Sequence, residues 1–165
     1  MVLDYLHAVV ALQPASHRPT RTWTHRTVQS LLLAEGRWFT AAAPPAQIKS
    51  LPERECFANA ALTERTHPGL LYAEGFAMPA AVPFPVAHAW CVTPDGRVVD
   101  PTWTDFAGAA YIGLPIANTR LRPDPLRPNG VLERPETLYP LLRDGVPPGT
   151  TAPIGRPCTP KEWAP

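Results

Sequence analysis

From Val2 to Leu12 the apolar residues fall at Val2, Leu3, Leu6, Val9, Val10 and Ala11, close to the helical repeat, and Gln13-Pro14 closes the run. This spacing predicts a first amphipathic helix. Ala15 to Trp23 is polar and turn-rich. Thr27 to Glu35 then reads as a second helix, with Val28, Leu31, Leu32 and Leu33 as its apolar face and Gly36 as its C-terminal stop. Ala41 to Ala46, with its Pro44-Pro45 pair, is a connector. Ser50-Leu51-Pro52-Glu53 has the form of a capping box, which predicts a third helix over Leu51 to Arg65 with Cys56 on it. After the His67-Pro68-Gly69 turn, strand composition appears in Leu70 to Met78, Val86 to Thr93 and Arg97 to Trp103, the first two separated by a proline-punctuated loop. The central order is helix, strand, strand, strand.

The sharpest local signal is Thr93-Pro94-Asp95-Gly96-Arg97, where proline suits the first central position of a type I turn and glycine the left-handed position after it. Pairing Thr93 with Arg97 sets Val92 opposite Val98, Trp90 opposite Asp100 and His88 opposite Thr102. His88 and Asp100 become diagonal neighbours on one face, roughly 7–8 Å apart at the backbone, a gap that imidazole and carboxylate can bridge. Cys91 points to the other face. Cys56, on the preceding helix, is then the thiol placed to meet His88 once helix packs on sheet. A thiol needs a base to become a thiolate at neutral pH, and the imidazole needs a third group to hold its tautomer and orientation. Cys56, His88 and Asp100 supply those three roles.

Composition narrows the classes. The 165 residues suit one domain, and 45% apolar content with a formal net charge of +1 describes a globular chain without the basic bias of a nucleic-acid binder. The longest apolar stretches fall far short of the roughly 20 residues that span a bilayer, and no basic region precedes an apolar run at the amino terminus. The expectation is a cytoplasmic protein without membrane or nucleic-acid partners. Three cysteines, Cys56, Cys91 and Cys158, are an odd number at irregular spacing, which fits neither a disulfide framework nor a zinc site. No metal and no cofactor is expected. Proline is the outlier: 11 of the 23 prolines lie in the last 45 residues. Residues 1–120 are therefore read as a single catalytic domain. Residues 121–165 are read as a wrap of loops over it, broken by one helical turn around Glu136 to Arg143.

The blocks Glu55-Cys56-Phe57-Ala58-Asn59-Ala60, Tyr72-Ala73-Glu74-Gly75-Phe76-Ala77, His88-Ala89-Trp90 and Val98-Val99-Asp100-Pro101-Thr102-Trp103 resemble the core of the transglutaminase-like enzymes. These form a branch of the papain-like superfamily that uses a Cys-His-Asp triad. The resemblance covers about fifty residues and implies that Cys56 is the nucleophile, His88 the base and Asp100 the orienting group. In that family the nucleophile sits at the start of its helix, whereas the capping box sets Cys56 almost two turns inside. A helix starting near Glu55, with Ser50 to Glu53 as a separate turn, is the alternative. The short apolar loop from Pro79 to Pro85 offers no substrate-binding insertion.

An oxyanion hole needs a backbone N–H, that of Cys56, and a second donor, for which Gln47 is the side-chain candidate against a plain surface role. Asn59 shares a face with Cys56 and is a candidate for orienting substrate, against ordinary helix packing. Trp90 and Trp103 read first as sheet packing and second as walls of an acyl-binding cleft. Glu74, in an apolar strand, either meets solvent or a buried partner. The expected fold is α+β: amino-terminal helices and the Cys56 helix packed on a small, mainly antiparallel sheet. The expected function is a cysteine-dependent amide or peptide hydrolase, or acyl transferase, working through an acyl-enzyme on a protein, peptide or small amide or ester. The alternative is a binding or inhibitory module, of the kind a phage or mobile element encodes, that keeps the scaffold without the chemistry.

Overall fold

The computed structural model describes residues 1–12, 23–79, 83–103, 109–124 and 126–158. Helix α1 spans Val2–Ala11 and α2 spans Val28–Glu35. The start of α2 is fixed locally, because the Thr27 hydroxyl accepts the Ser30 N–H while the Ser30 hydroxyl accepts the Thr27 N–H. Its end is fixed by space: a Cβ at Gly36 would lie 2.3 Å from the Leu32 carbonyl oxygen. Strand β1 follows at Arg37–Phe39, then α3 at Cys56–Thr66, β2 at Leu71–Met78, β3 at Val86–Val92, β4 at Val98–Val99 and β5 at Ala110–Pro115. Helix α4 covers Pro135–Asp144 and a two-residue strand, β6, Arg156–Pro157.

These strands form one six-stranded sheet in the order β4-β3-β2-β5-β1-β6, with every strand pair antiparallel. The fold is α+β, with α3 packed on the strands. Alternation along β2 and β3 separates two apolar clusters. Tyr72, Met78, Ala89 and Cys91 join Leu6, Leu31, Ala60 and Ala61 on the helical face. Ala73, Ala77, Trp90 and Val92 join Phe39, Val98 and Tyr111 on the other. A flat sheet would hold β1 and β4 roughly 19 Å apart, at about 4.8 Å per strand. Yet Thr40, just past β1, donates its N–H to Gly96 O at 3.1 Å and accepts the Val98 N–H at 2.8 Å. The sheet is therefore strongly curled around the second cluster.

The hairpin register is the one its turn predicts, with Val92 opposite Val98 and Cys91 opposite Val99, and Gly96 in the left-handed region at φ 81°. The third strand is shorter than Arg97 to Trp103. Asp100 Oδ1 accepts the N–H groups of Thr102 and Trp103 and Pro101 has no N–H to give a ladder, so the chain turns out of the sheet after Val99. The third helix also departs from the capping-box reading. It begins at Cys56, because Arg54 at φ 68° breaks any helix from Leu51, while Leu51 N–H goes to Pro101 O and Pro52 O accepts from the Asn59 side chain. The start near Glu55 is the one observed.

The helical turn read around Glu136 to Arg143 in the proline-rich tail is α4, and beyond a wrap of loops the tail adds, through β6, an edge strand paired to β1. Its strongest tie is Glu74, which is fully buried and accepts from Tyr72 OH at 2.7 Å, Val131 N–H at 2.6 Å and Leu132 N–H at 2.7 Å. Gly130 makes room for this clasp, since a Cβ there would sit 2.2 Å from Glu74 Oε1. Among the described residues no helix is long and apolar enough to cross a membrane.

Burial pushes the Glu74 carboxyl up to about 7, against the hydrogen bonds from Tyr72, Leu132 and Val131 that favour its charged form. A carboxyl that holds its proton more tightly folded than unfolded adds stability that is complete below the unfolded value and lost as pH rises through the folded one. Urea-denaturation stability of the wild type relative to Glu74→Gln is thus expected to fall between pH 4.5 and about 7. A difference that is flat over this window would contradict the assignment. Glu74→Ala, which strands two backbone N–H groups and a phenol, is expected to cost about 3 kcal/mol or more.

Candidate active site

Three elements bring the sequence-derived residues together. Helix α3 offers Cys56 as its first residue, β3 offers His88, and the turn after β4 offers Asp100. His88 Nε2 lies 2.7 Å from Asp100 Oδ2, with both residues buried. The Cys56 thiol is near enough to the same imidazole to help raise its proton affinity. With Nε2–H donated to the carboxylate, Nδ1 is the nitrogen left to exchange a proton with sulfur. Cys56, at 9% exposure, is the most accessible of the three, against 2% for His88 and 5% for Asp100.

Asp100 is held by donors on both oxygens. Oδ1 accepts Thr102 N–H at 2.8 Å and Trp103 N–H at 3.0 Å, and Oδ2 accepts Tyr111 OH at 3.0 Å beside His88. Burial and the neighbouring Asp100 push the Tyr111 phenol well up, so it stays protonated and donates. Trp103 stacks flat on the imidazole, ring centres 3.7 Å apart and 9° from parallel, and Trp90 lies beyond at 6.2 Å. Burial opposes a charged imidazole, but the hydrogen bonds to Asp100 and Cys56 and their charges outweigh it, leaving His88 raised above its ordinary value.

As the first residue of α3, Cys56 sits among backbone N–H groups that have no acceptor within the helix, at the positive end of its dipole. Asn59 is on the buried face of α3 as expected, but its amide is engaged: Nδ2 donates to Pro52 O at 2.7 Å and to Thr102 Oγ1 at 3.1 Å. It laces the Cys56 helix to the turn that carries Asp100. Trp90 is fully buried, edge-on to Tyr111 and Phe39, and its indole N–H has no hydrogen-bond partner among the described residues. Gln47 is not brought to the thiol. It is exposed on a depression shared with Leu62, Thr63 and Thr66, near the far end of α3. The apolar loop from Pro79 to Pro85 lies partly outside the described residues.

Tyr111 and the stacking role of Trp103 had no local signal. Tyr111 lies eleven residues past Asp100 on the next strand, and it is the β2–β5 pairing that brings its hydroxyl within 3.0 Å of Asp100 Oδ2. The other two thiols are of a different kind: burial pushes Cys158 up to about 12 and Cys91 further still, and Cys91 donates to Ala60 O. Among the described residues no group of three or more His, Cys, Asp or Glu is placed to hold a metal ion.

Since Asp100 supplies the largest contribution that raises His88, Asp100→Asn is expected to lower the imidazole titration midpoint, read by NMR. An unmoved midpoint would show that the pair is not coupled as its 2.7 Å geometry requires. No family model, no curated protein and no solved structure matches this chain, so its function is argued from this geometry.

Proposed function

We propose that the chain is a cysteine-dependent amide or peptide hydrolase, or an acyl transferase, with the transglutaminase-like arrangement that its sequence blocks resemble. The observation that carries this reading is the buried His88 imidazole set between the Asp100 carboxylate and the Cys56 thiol, with Cys56 opening a helix. A satisfied core histidine needs neither a neighbouring thiol nor a carboxylate fixed by three further donors.

In this mechanism His88 Nδ1 takes the Cys56 proton, and the resulting thiolate attacks the substrate carbonyl to form a carbon–sulfur bond. Negative charge gathers on the carbonyl oxygen, where the free backbone N–H of Cys56 is the donor at hand. As the tetrahedral centre collapses, the carbon–nitrogen or carbon–oxygen bond breaks and the imidazolium returns its proton to the leaving amine or alcohol. Water or an amine then gives up a proton to His88, attacks the thioester and releases the acyl group with the thiol restored. Asp100 keeps Nε2 protonated throughout, and Trp103 blocks rotation of the ring. No step calls for a cofactor.

Two measurements test this. Peptide-mapped alkylation by iodoacetamide at pH 6.5 is expected to label Cys56 well ahead of Cys91 and Cys158, and His88→Ala is expected to slow that labelling by at least about tenfold. Incubation with p-nitrophenyl acetate is expected to leave one acetyl group on Cys56, seen by intact and peptide mass, and none in Cys56→Ala. If Cys56 is no more reactive than the other thiols and never acquires an acyl group, catalysis is refuted and the non-catalytic module is the better account.

A further inference from the structure

Helix α3 borders a second concavity on the side away from Cys56. Cys56, Asn59, Ala60, Ala61 and Thr63 are buried, while Ala58, Leu62 and Arg65, at i, i+4 and i+7, form a stripe on another side whose depression Ala61 also lines. Opposite this stripe runs the chain from Thr119 to Pro128. Between them lies a cavity of about 500 Å³ whose charged lining includes Arg65, Arg120, Arg122 and Arg127 against Glu64 and Asp124. It is continuous, through Ala61, Arg65, Pro123 and Asp124, with an adjoining depression of about 310 Å³ floored by Ala58, Leu62 and Pro128. Volumes of this order hold small molecules.

The charges do not cancel. Glu64 is paired with Arg122, whose remaining N–H groups are held by Ile116 O and Ala117 O. Asp124 is paired with Arg127 at 2.8 Å. Arg65 and Arg120 have no side-chain partner among the described residues, so two unneutralised guanidinium groups share one concavity of a chain whose formal net charge is only +1. Guanidinium forks match the geometry of phosphate and carboxylate oxygens. Beside them Leu62 is 45% exposed and shares a depression with Ala58, Pro123 and Pro128, an apolar shelf bordered by Arg65 and Asp124.

We infer that the outer face of α3 carries a second binding site, distinct from the Cys56 centre, for a small molecule that joins an oxyanion head to an apolar body. The head lies between Arg65 and Arg120, and the body rests on Ala58, Leu62, Pro123 and Pro128. A phosphate monoester and a carboxylate share this chemistry, and the probes below separate them.

The test is a ¹H–¹⁵N titration of the full chain with phenyl phosphate, benzoate and inorganic phosphate. Saturable shifts are expected over Ala58 to Arg65 and Thr119 to Arg127, with at least one aromatic probe binding tighter than inorganic phosphate because only it covers the shelf. Whichever aromatic probe binds more tightly names the head group. The double variant Arg65→Gln, Arg120→Gln changes exposed side chains only and is expected to weaken the aromatic anion by about tenfold or more. Leu62→Ser is expected to weaken the aromatic probe and spare inorganic phosphate. No saturable shift up to about 20 mM, shifts that survive the double variant, or shifts centred on Cys56 would each overturn the proposal. Cys56→Ala is expected to bind as well as wild type, which keeps this result independent of the proposed catalysis.

Discussion

A buried carboxyl group is tolerated only where hydrogen-bond partners replace the water it has lost, and in this protein much else depends on how Asp100 meets that condition. Its four donors come from β3, from β5 and from the two residues that follow Pro101. Capturing those last two N–H groups ends β4 and turns the chain inward. The turn carries Pro101 O to Leu51 N–H and Thr102 to Asn59, and these contacts stop the chain before α3 from continuing as helix. Cys56 is thereby the first residue of α3 and stands beside His88. One satisfied carboxylate thus sets both the orientation of the imidazole and the position of the thiol.

Glu74 solves the same problem on the opposite face of the sheet by another route. Its donors are a tyrosine on its own strand and two backbone N–H groups of the proline-rich tail. The tail accordingly works as part of the core, its Val131 and Leu132 closing over the helical cluster that α1, α2 and α3 share with the sheet. The difference between the two carboxylates is one of purpose. Asp100 shares an oxygen with an imidazole and so is coupled to a proton that can move, whereas Glu74 binds fixed donors and fastens a segment.

Aromatic packing gives His88 its setting. Trp103, Trp90 and Tyr111 surround the ring inside the curl of the sheet, shielding its bond to Asp100 from water and strengthening it. The three thiols show how strongly position governs the same side chain. Cys91 and Cys158 are sealed in apolar surroundings that oppose ionisation, while Cys56 stands at a helix start against an imidazole. Helix α3 borders both the inner centre, through Cys56, and the arginine-lined cavity, through Glu64 and Arg65.

The hairpin, its register and the His88–Asp100 pairing were legible in the sequence because they are local: the Thr93 to Arg97 turn fixes which residues face each other, and alternation does the rest. The first two helices were legible for the same reason. The start of α3 was not, since a capping box at Ser50 is a sound local signal that loses to contacts with Pro101 and Thr102, some fifty residues on. Nor were the strand within the tail, the place of Gln47 or the part played by Tyr111, which sheet pairing and packing decide, nor the short β4, which ends where Asp100 takes the Thr102 and Trp103 N–H groups. By itself the sequence determined which residues could do chemistry and which of them are neighbours along a hairpin. Only the tertiary structure decided how the donors are shared, because a buried polar group takes its partner from whatever the packed chain brings within 3 Å, and backbone spacing does not encode that choice.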